Sequence, residues 1–117
     1  MIIVDEMDVM REEATPHGAI GISVAFRISD EVPNRTMDFR KRILRPGAAI
    51  GAHLIAHDEV YYVLEGEGEV FADGVTRTIT TGQAAYLFSG QEVGIHQVGS
   101  SDLTLIISYP LPMPEPD

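Results

Sequence analysis

An all-β fold, a sandwich or barrel of jelly-roll type, is predicted for this chain by three observations. Short segments rich in β-branched and aromatic residues recur along it, glycine-bearing turn sequences separate them, and no segment carries a long helical period. Nine strands at this spacing suit two packed antiparallel sheets. At 117 residues the chain is long enough for one proper core and too short for two, so residues 1–117 are read as a single domain.

The elements follow in order. Residues 1–15 are an acidic arm, with Asp5, Glu6, Asp8, Glu12 and Glu13, expected as a short helix or a loose segment. Strands are expected at 20–28 and 36–44, then at 49–55 and 59–65 on either side of Ala56-His57-Asp58. The runs 69–72 and 75–80 flank Asp73-Gly74, a two-residue hairpin signal, because a type I′ turn needs positive φ at both centres. Gly82 precedes the run 84–88, Ser89-Gly90 precedes 93–98, and Gly99-Ser100-Ser101 precedes 103–109. The core is thus expected over about 20–109. Four prolines in 110–117 forbid helix and sheet interior there and predict an extended tail over the surface or a neighbouring subunit.

A formal charge of −10 argues against nucleic acid as a partner, since a phosphate backbone is held by lysine and arginine. Half of the eight cations are Arg40, Lys41, Arg42 and Arg45, a cluster that could receive an anion or pair with carboxylates across strands. There is no cysteine, hence no disulfide or thiolate site. The apolar runs are too short for a membrane span and no signal stretch precedes them, so a cytoplasmic protein is expected.

The chemistry concentrates in two stretches. In the first, Gly47 is followed after five residues by His53, then by Ile55 two positions on, by Glu59, and after six more residues by Gly66. In the second, Gly82 is followed by Phe88-Ser89-Gly90, then Val93, then Gln97. These spacings resemble the two motifs of the cupin superfamily: glycine, His-x-His, glutamate, glycine in the first, and glycine, proline-x-glycine, histidine, asparagine in the second. Two of the family's four ligand positions are kept, as His53 and Glu59. Ile55 and Val93 stand in the other two, Phe88 takes the proline's place and Gln97 the asparagine's.

The resemblance implies a double-stranded β-helix barrel with His53 and Glu59 pointing inward as metal ligands. Residues two apart on a strand share a face, so Ile55 lies on the same wall, and by the same parity Tyr61, Val93 and Gln97 line the cavity while Tyr62 and His96 face away. His57 is the candidate replacement ligand. On a continuous strand it would lie about 13 Å from His53, so it reaches the site only if Ala56-His57-Asp58 turns back sharply; otherwise it is a turn residue at the barrel mouth. Two readings stay open. A divalent ion (Zn, Mn, Fe or Ni, which the residues do not distinguish) sits on His53 and Glu59, completed by waters or by His57, or no metal is present and Glu59 is a buried carboxylate bonded to His53.

Tyr86 is either a core residue with its hydroxyl at the rim or a substrate-orienting group. His17, ahead of the first strand, is either a cap on the barrel mouth or simply a loop histidine, and Glu65, Glu67 and Glu69 form a solvated edge that resists strand-to-strand aggregation. The functional expectation is a small-molecule-binding barrel, either a metal-assisted enzyme acting on a small polar or anionic metabolite or a non-catalytic ligand-binding or sensing module that has lost the metal. No catalytic residue is assigned. The small cupins it resembles imply a homodimer that covers an open sheet edge or face.

Overall fold

A computed structural model of the chain describes residues 1–112. A single 3-10 turn, Glu6–Asp8, capped by the Asp5 side chain, leads into ten strands. These are β1 (Met10–Ala14), β2 (Ile22–Phe26), β3 (Met37–Leu44), β4 (Ala49–Leu54), β5 (Glu59–Glu65), β6 (Glu67–Ala72), β7 (Val75–Thr80), β8 (Ala84–Leu87), β9 (Glu92–Gln97) and β10 (Leu103–Pro110). All pairings are antiparallel. One sheet runs β1-β2-β3-β10-β5-β8 and the other β4-β9-β6-β7. From β3 onward the chain changes sheet at every connection except the β6–β7 hairpin, which is the jelly-roll path.

Alternation decides which residues enter the space between the sheets. Leu103, Leu105 and Ile107 of β10 face Leu44 of β3 and Tyr61 and Val63 of β5 from one side, while Val70, Val93 and Ile95 close from the other. The hairpin expected at Asp73-Gly74 is present, with φ of 46° and 82°, the positive pair that a type I′ turn requires.

The arm is the main departure from the sequence reading. Met10–Ala14 forms the edge strand β1 against β2, in register Met10↔Phe26 to Ala14↔Ile22. Its charges hide this strand from a periodicity argument, because they are satisfied by tertiary partners: Glu13 accepts from Arg27 at 2.7 Å and from Arg42 at 3.0 Å. Burial works to raise the Glu13 pKa, and the two guanidiniums outweigh it and hold the carboxyl below its usual range.

The basic cluster is consumed in the same way. Lys41 pairs with Glu6, Arg45 with Asp102, and Arg40 with both Asp30 and Asp38. Pro110 ends β10 opposite Met37, and the rest of the proline-rich expectation, from residue 113, lies outside the described residues. No helix is long and apolar enough to cross a membrane among the described residues.

Candidate functional site at the barrel mouth

His53 owes its orientation to a bulge. Ile50 pairs with Ile95 and His53 with Val93, so Gly51 and Ala52 together oppose the single residue Gly94. Without the extra residue, the parity that buries Ile50 would turn His53 outward. With it, both Ile50 and His53 lie on the face of the buried residues of β9. The His53 Nδ1 donates to the Gly51 carbonyl at 2.8 Å, since a carbonyl only accepts, which leaves the Nε2 lone pair free in the neutral ring.

His17 covers it. The two imidazoles are stacked with centroids 3.6 Å apart and planes 7° from parallel. The loop that delivers His17 is wound through the left-handed region at His17 (58°), Gly18 (119°) and Ala19 (51°), a costly path for the two non-glycine residues. It is keyed to the bulge: Gly51 N–H donates to the Pro16 carbonyl, and a Cβ on Gly51 would fall on the His17 carbonyl oxygen. Burial, and then the neighbouring His53, lower the His17 pKa. The sequence offers His17 as a loop residue near the mouth, and the stacking on His53 follows from a glycine on β4 at a position where a strand gains nothing from one.

Glu59 opens β5 and is buried, with 6% of its surface exposed. Its Oε2 has no hydrogen-bond partner. Burial raises its pKa, opposed by the charges of His53 and His57 and by the Tyr61 hydroxyl beside it. Tyr61 is enclosed, and its own pKa is pushed up by burial and by the Glu59 carboxylate.

His57 stays at the rim. It stacks on Tyr109 at 4.4 Å with planes 7° apart, and Arg40 lies 5.9 Å from the same Tyr109 ring. The turn beneath it is pinned by Asp58, which accepts from the Tyr86 hydroxyl at 2.6 Å and from the Ser89 N–H at 2.9 Å. A groove of about 430 Å³ opens here, lined by Met37, His57, Glu59, Tyr86 and Tyr109 among others. Tyr109 was not singled out in the sequence, although β10 parity places it on the inner face with Leu105 and Ile107.

Three expected cavity residues are engaged otherwise. Gln97 does not line a cavity: its amide donates to the carbonyls of Val98, Gly99 and Ser101, and its Oε1 accepts from Gly47 N–H, so it ties two turns together at the far end of the barrel. Ile55 and Val93 face inward but are packed into the hydrophobic core, leaving no open wall between them. His96 is exposed on the outer face, 3.3 Å from Glu69.

The donor set is not that of a complete metal site. Among the described residues no three histidine, aspartate or glutamate side chains stand close enough to share an ion. His17 does not make up the number with His53, because parallel rings at 3.6 Å hold their lone pairs in separate planes, and an ion about 2 Å from one nitrogen is out of plane for the other. His57 is turned against Tyr109. His53 and Glu59 alone leave most positions of a divalent ion to water.

Comparison with known proteins agrees with this architecture. The family description "Cupin domain" matches residues 41–109. The chain is 29% identical over 109 residues to the oxalate-binding protein of Thermotoga maritima, covering 86% of this chain and 90% of the relative. The crystal structure of a predicted oxalate decarboxylase from Thermotoga maritima superposes with a TM-score of 0.82 at 24% identity, over 94% of this chain and 99% of the other. The polyketide cyclase RemF of Streptomyces resistomycificus superposes with a TM-score of 0.79 at 18% identity, over 94% and 79%. With its jelly-roll path and a family match from β3 to β10, the chain belongs to the cupin family.

Proposed function

We propose that this cupin binds a small carboxylic acid at the barrel mouth, with Glu59 and His53 as the recognising pair. The observation that carries the reading is the unpartnered Glu59 Oε2, buried in the protein. A buried acceptor without a partner is costly, so the site favours a ligand that supplies a donor to it. The His57 ring, which lines the same groove as Glu59, offers a polar contact to the anionic end of such a ligand. A hydrogen dicarboxylate or a hydroxy acid carries both groups. The likeness to an oxalate-binding protein supports a ligand of this size.

Calorimetric titration with glycolate, and with oxalate and malonate at a mildly acidic pH that keeps part of each as the hydrogen dicarboxylate, tests this, with acetate, which has one carboxylate and no further donor, as the control. Wild type binds at least one of the three more tightly than acetate. Glu59→Gln and His53→Ala each weaken it by about tenfold, the worth of one hydrogen bond to a charged group. No binding, or binding indifferent to both substitutions, overturns the reading.

A second reading, an enzyme acting on such an acid, is favoured by a buried carboxyl with an unpartnered oxygen at the same mouth as an imidazole oriented by the Gly51 carbonyl. Those two groups hold and move a proton without a bound ion. Consumption of the bound acid by wild type, followed by nuclear magnetic resonance, separates the enzyme from the binder.

We also propose a homodimer through the outer face of the six-stranded sheet. Ile22, Phe39, Tyr62 and Leu64 are exposed there, and register places Ile106 between Lys41 and Tyr62. A broad apolar sheet face is what a second copy of the chain would cover.

A further inference from the structure

A second cleft opens on the flank of the barrel, lined by neither His53 nor Glu59 and meeting the mouth groove at Tyr86. β7 and β8 are edge strands of different sheets, joined through Thr81-Gly82-Gln83 and not hydrogen bonded to each other. Between them opens a space of about 550 Å³, within the range of sites for drug-sized ligands. Its floor is apolar, made by Val70, Ile79 and Leu87 from inside the barrel, and Phe88 stands exposed at its rim. Phe88 is the residue that occupies the proline position of the second motif, a departure that the mouth site leaves unexplained.

The charge in this cleft is Arg77. It pairs with Val70 across the β6–β7 ladder, so its side chain projects from the same sheet face as that core residue. Among the described residues Arg77 has no ion pair and no side-chain hydrogen bond. No aspartate or glutamate lines the cleft, although the chain holds 18 of them. The neighbouring acceptors are already in use: Gln83 Oε1 accepts from Thr80 and Gln91 Oε1 from the Phe88 N–H. An uncommitted guanidinium above an apolar floor, in a protein of charge −10, is a local reversal of the protein's field.

We propose that the β7/β8 cleft is a second binding site, for a small anion with an aromatic or aliphatic body, whose acidic group meets Arg77 while the body lies along Phe88 and the Val70–Ile79 floor. Guanidinium geometry suits a planar carboxylate or a sulfonate, and the apolar floor rejects small hydrophilic acids of the kind proposed for the mouth. The two sites therefore select by opposite criteria, size and polarity at Glu59, amphipathy at Arg77.

The test uses two fluorescent probes with nearly the same body, anionic 1-anilinonaphthalene-8-sulfonate and uncharged N-phenyl-1-naphthylamine, titrated into the full chain. Wild type binds the sulfonate more tightly than the neutral probe. Arg77→Gln weakens the sulfonate about tenfold, the worth of a charge-assisted hydrogen bond, and leaves the neutral probe within about twofold. Arg77→Lys recovers part of the difference, and Phe88→Ser weakens both probes. Both positions are on exposed strand or loop surface, and unchanged melting temperatures show that the variants are folded. Equal binding of the two probes by wild type overturns the proposal. So does loss of sulfonate binding in His53→Ala, which places the probe at the mouth, or an Arg77→Gln variant that binds the sulfonate as wild type does.

Discussion

The His17 ring lies flat on the His53 ring, 3.6 Å away, although 36 residues and two strands separate them in the chain. The contact depends on a third residue that touches neither ring through a side chain. Gly51 widens β4 by one residue, turning His53 inward, and has no Cβ, so the His17 carbonyl can rest on its backbone. The loop and the bulge are one device for holding two imidazoles at the barrel mouth.

Gly51→Ala separates them. A methyl group at this position falls on the His17 carbonyl oxygen, so the loop has to lift. The expected cost is about 1–3 kcal/mol, typical of overpacking a close contact. Proton spectra of the histidine rings report the separation directly, because stacked rings shift each other's resonances. Unchanged histidine shifts with unchanged stability contradict the keyed arrangement.

Metal affinity is expected to be modest in wild type and to rise by tenfold or so in Ile55→His. Ile55 follows His53 by two positions and is buried on the inner side of the barrel, so a histidine there adds a third donor beside His53 and Glu59. Without an ion, the buried imidazole costs about 1–3 kcal/mol, so the variant is destabilised by chelator and recovered by metal. Calorimetric titration with Zn²⁺, Mn²⁺ and Ni²⁺, with His53→Ala as control, measures this. Tight binding by wild type that Ile55→His leaves unaltered points to other ligands.

Asp38 ties the connection between β2 and β3 down onto β3, and its stability contribution carries a pH signature. The carboxylate accepts from the Ser29 hydroxyl at 2.7 Å and from Arg35 at 2.8 Å, with Arg40 at 3.4 Å. Burial acts to raise its pKa, but Ser29 and the two arginines prevail and hold it below 3.8. The unfolded chain therefore takes up this proton more readily than the folded one. The stabilisation is present above about pH 4 and is lost as pH falls through the depressed folded value. Asp38→Asn costs about 2 kcal/mol at pH 7, and the penalty shrinks below about pH 4, as read by urea unfolding across that range. A penalty that stays constant down to pH 3 contradicts this account.

Solution mass tests the dimer. Wild type is expected at twice the chain mass by light scattering at micromolar concentration, and Tyr62→Arg, which places a charge in the middle of the outer sheet face, at the mass of one chain. A monomeric wild type removes the proposal; a dimer unaffected by Tyr62→Arg moves the interface to another surface.

Strand alternation and turn residues, which are local properties, were enough to determine the all-β class and nine of the ten strands by themselves. The Asp73-Gly74 hairpin needed only its own two φ angles. The glycine, histidine and glutamate spacings were likewise enough to suggest the family, because a motif on one strand and its following turn is contiguous in sequence. What only the tertiary structure decided depends on contacts between distant residues. β1 is a strand because Arg27 and Arg42 satisfy Glu13, and Gln97 is a tie between turns because Gly47 and Ser101 lie next to it. His17 belongs to the mouth because the bulge at Gly51 receives its loop. Periodicity reports which face a side chain occupies, but not what stands opposite, and a site is made by what stands opposite.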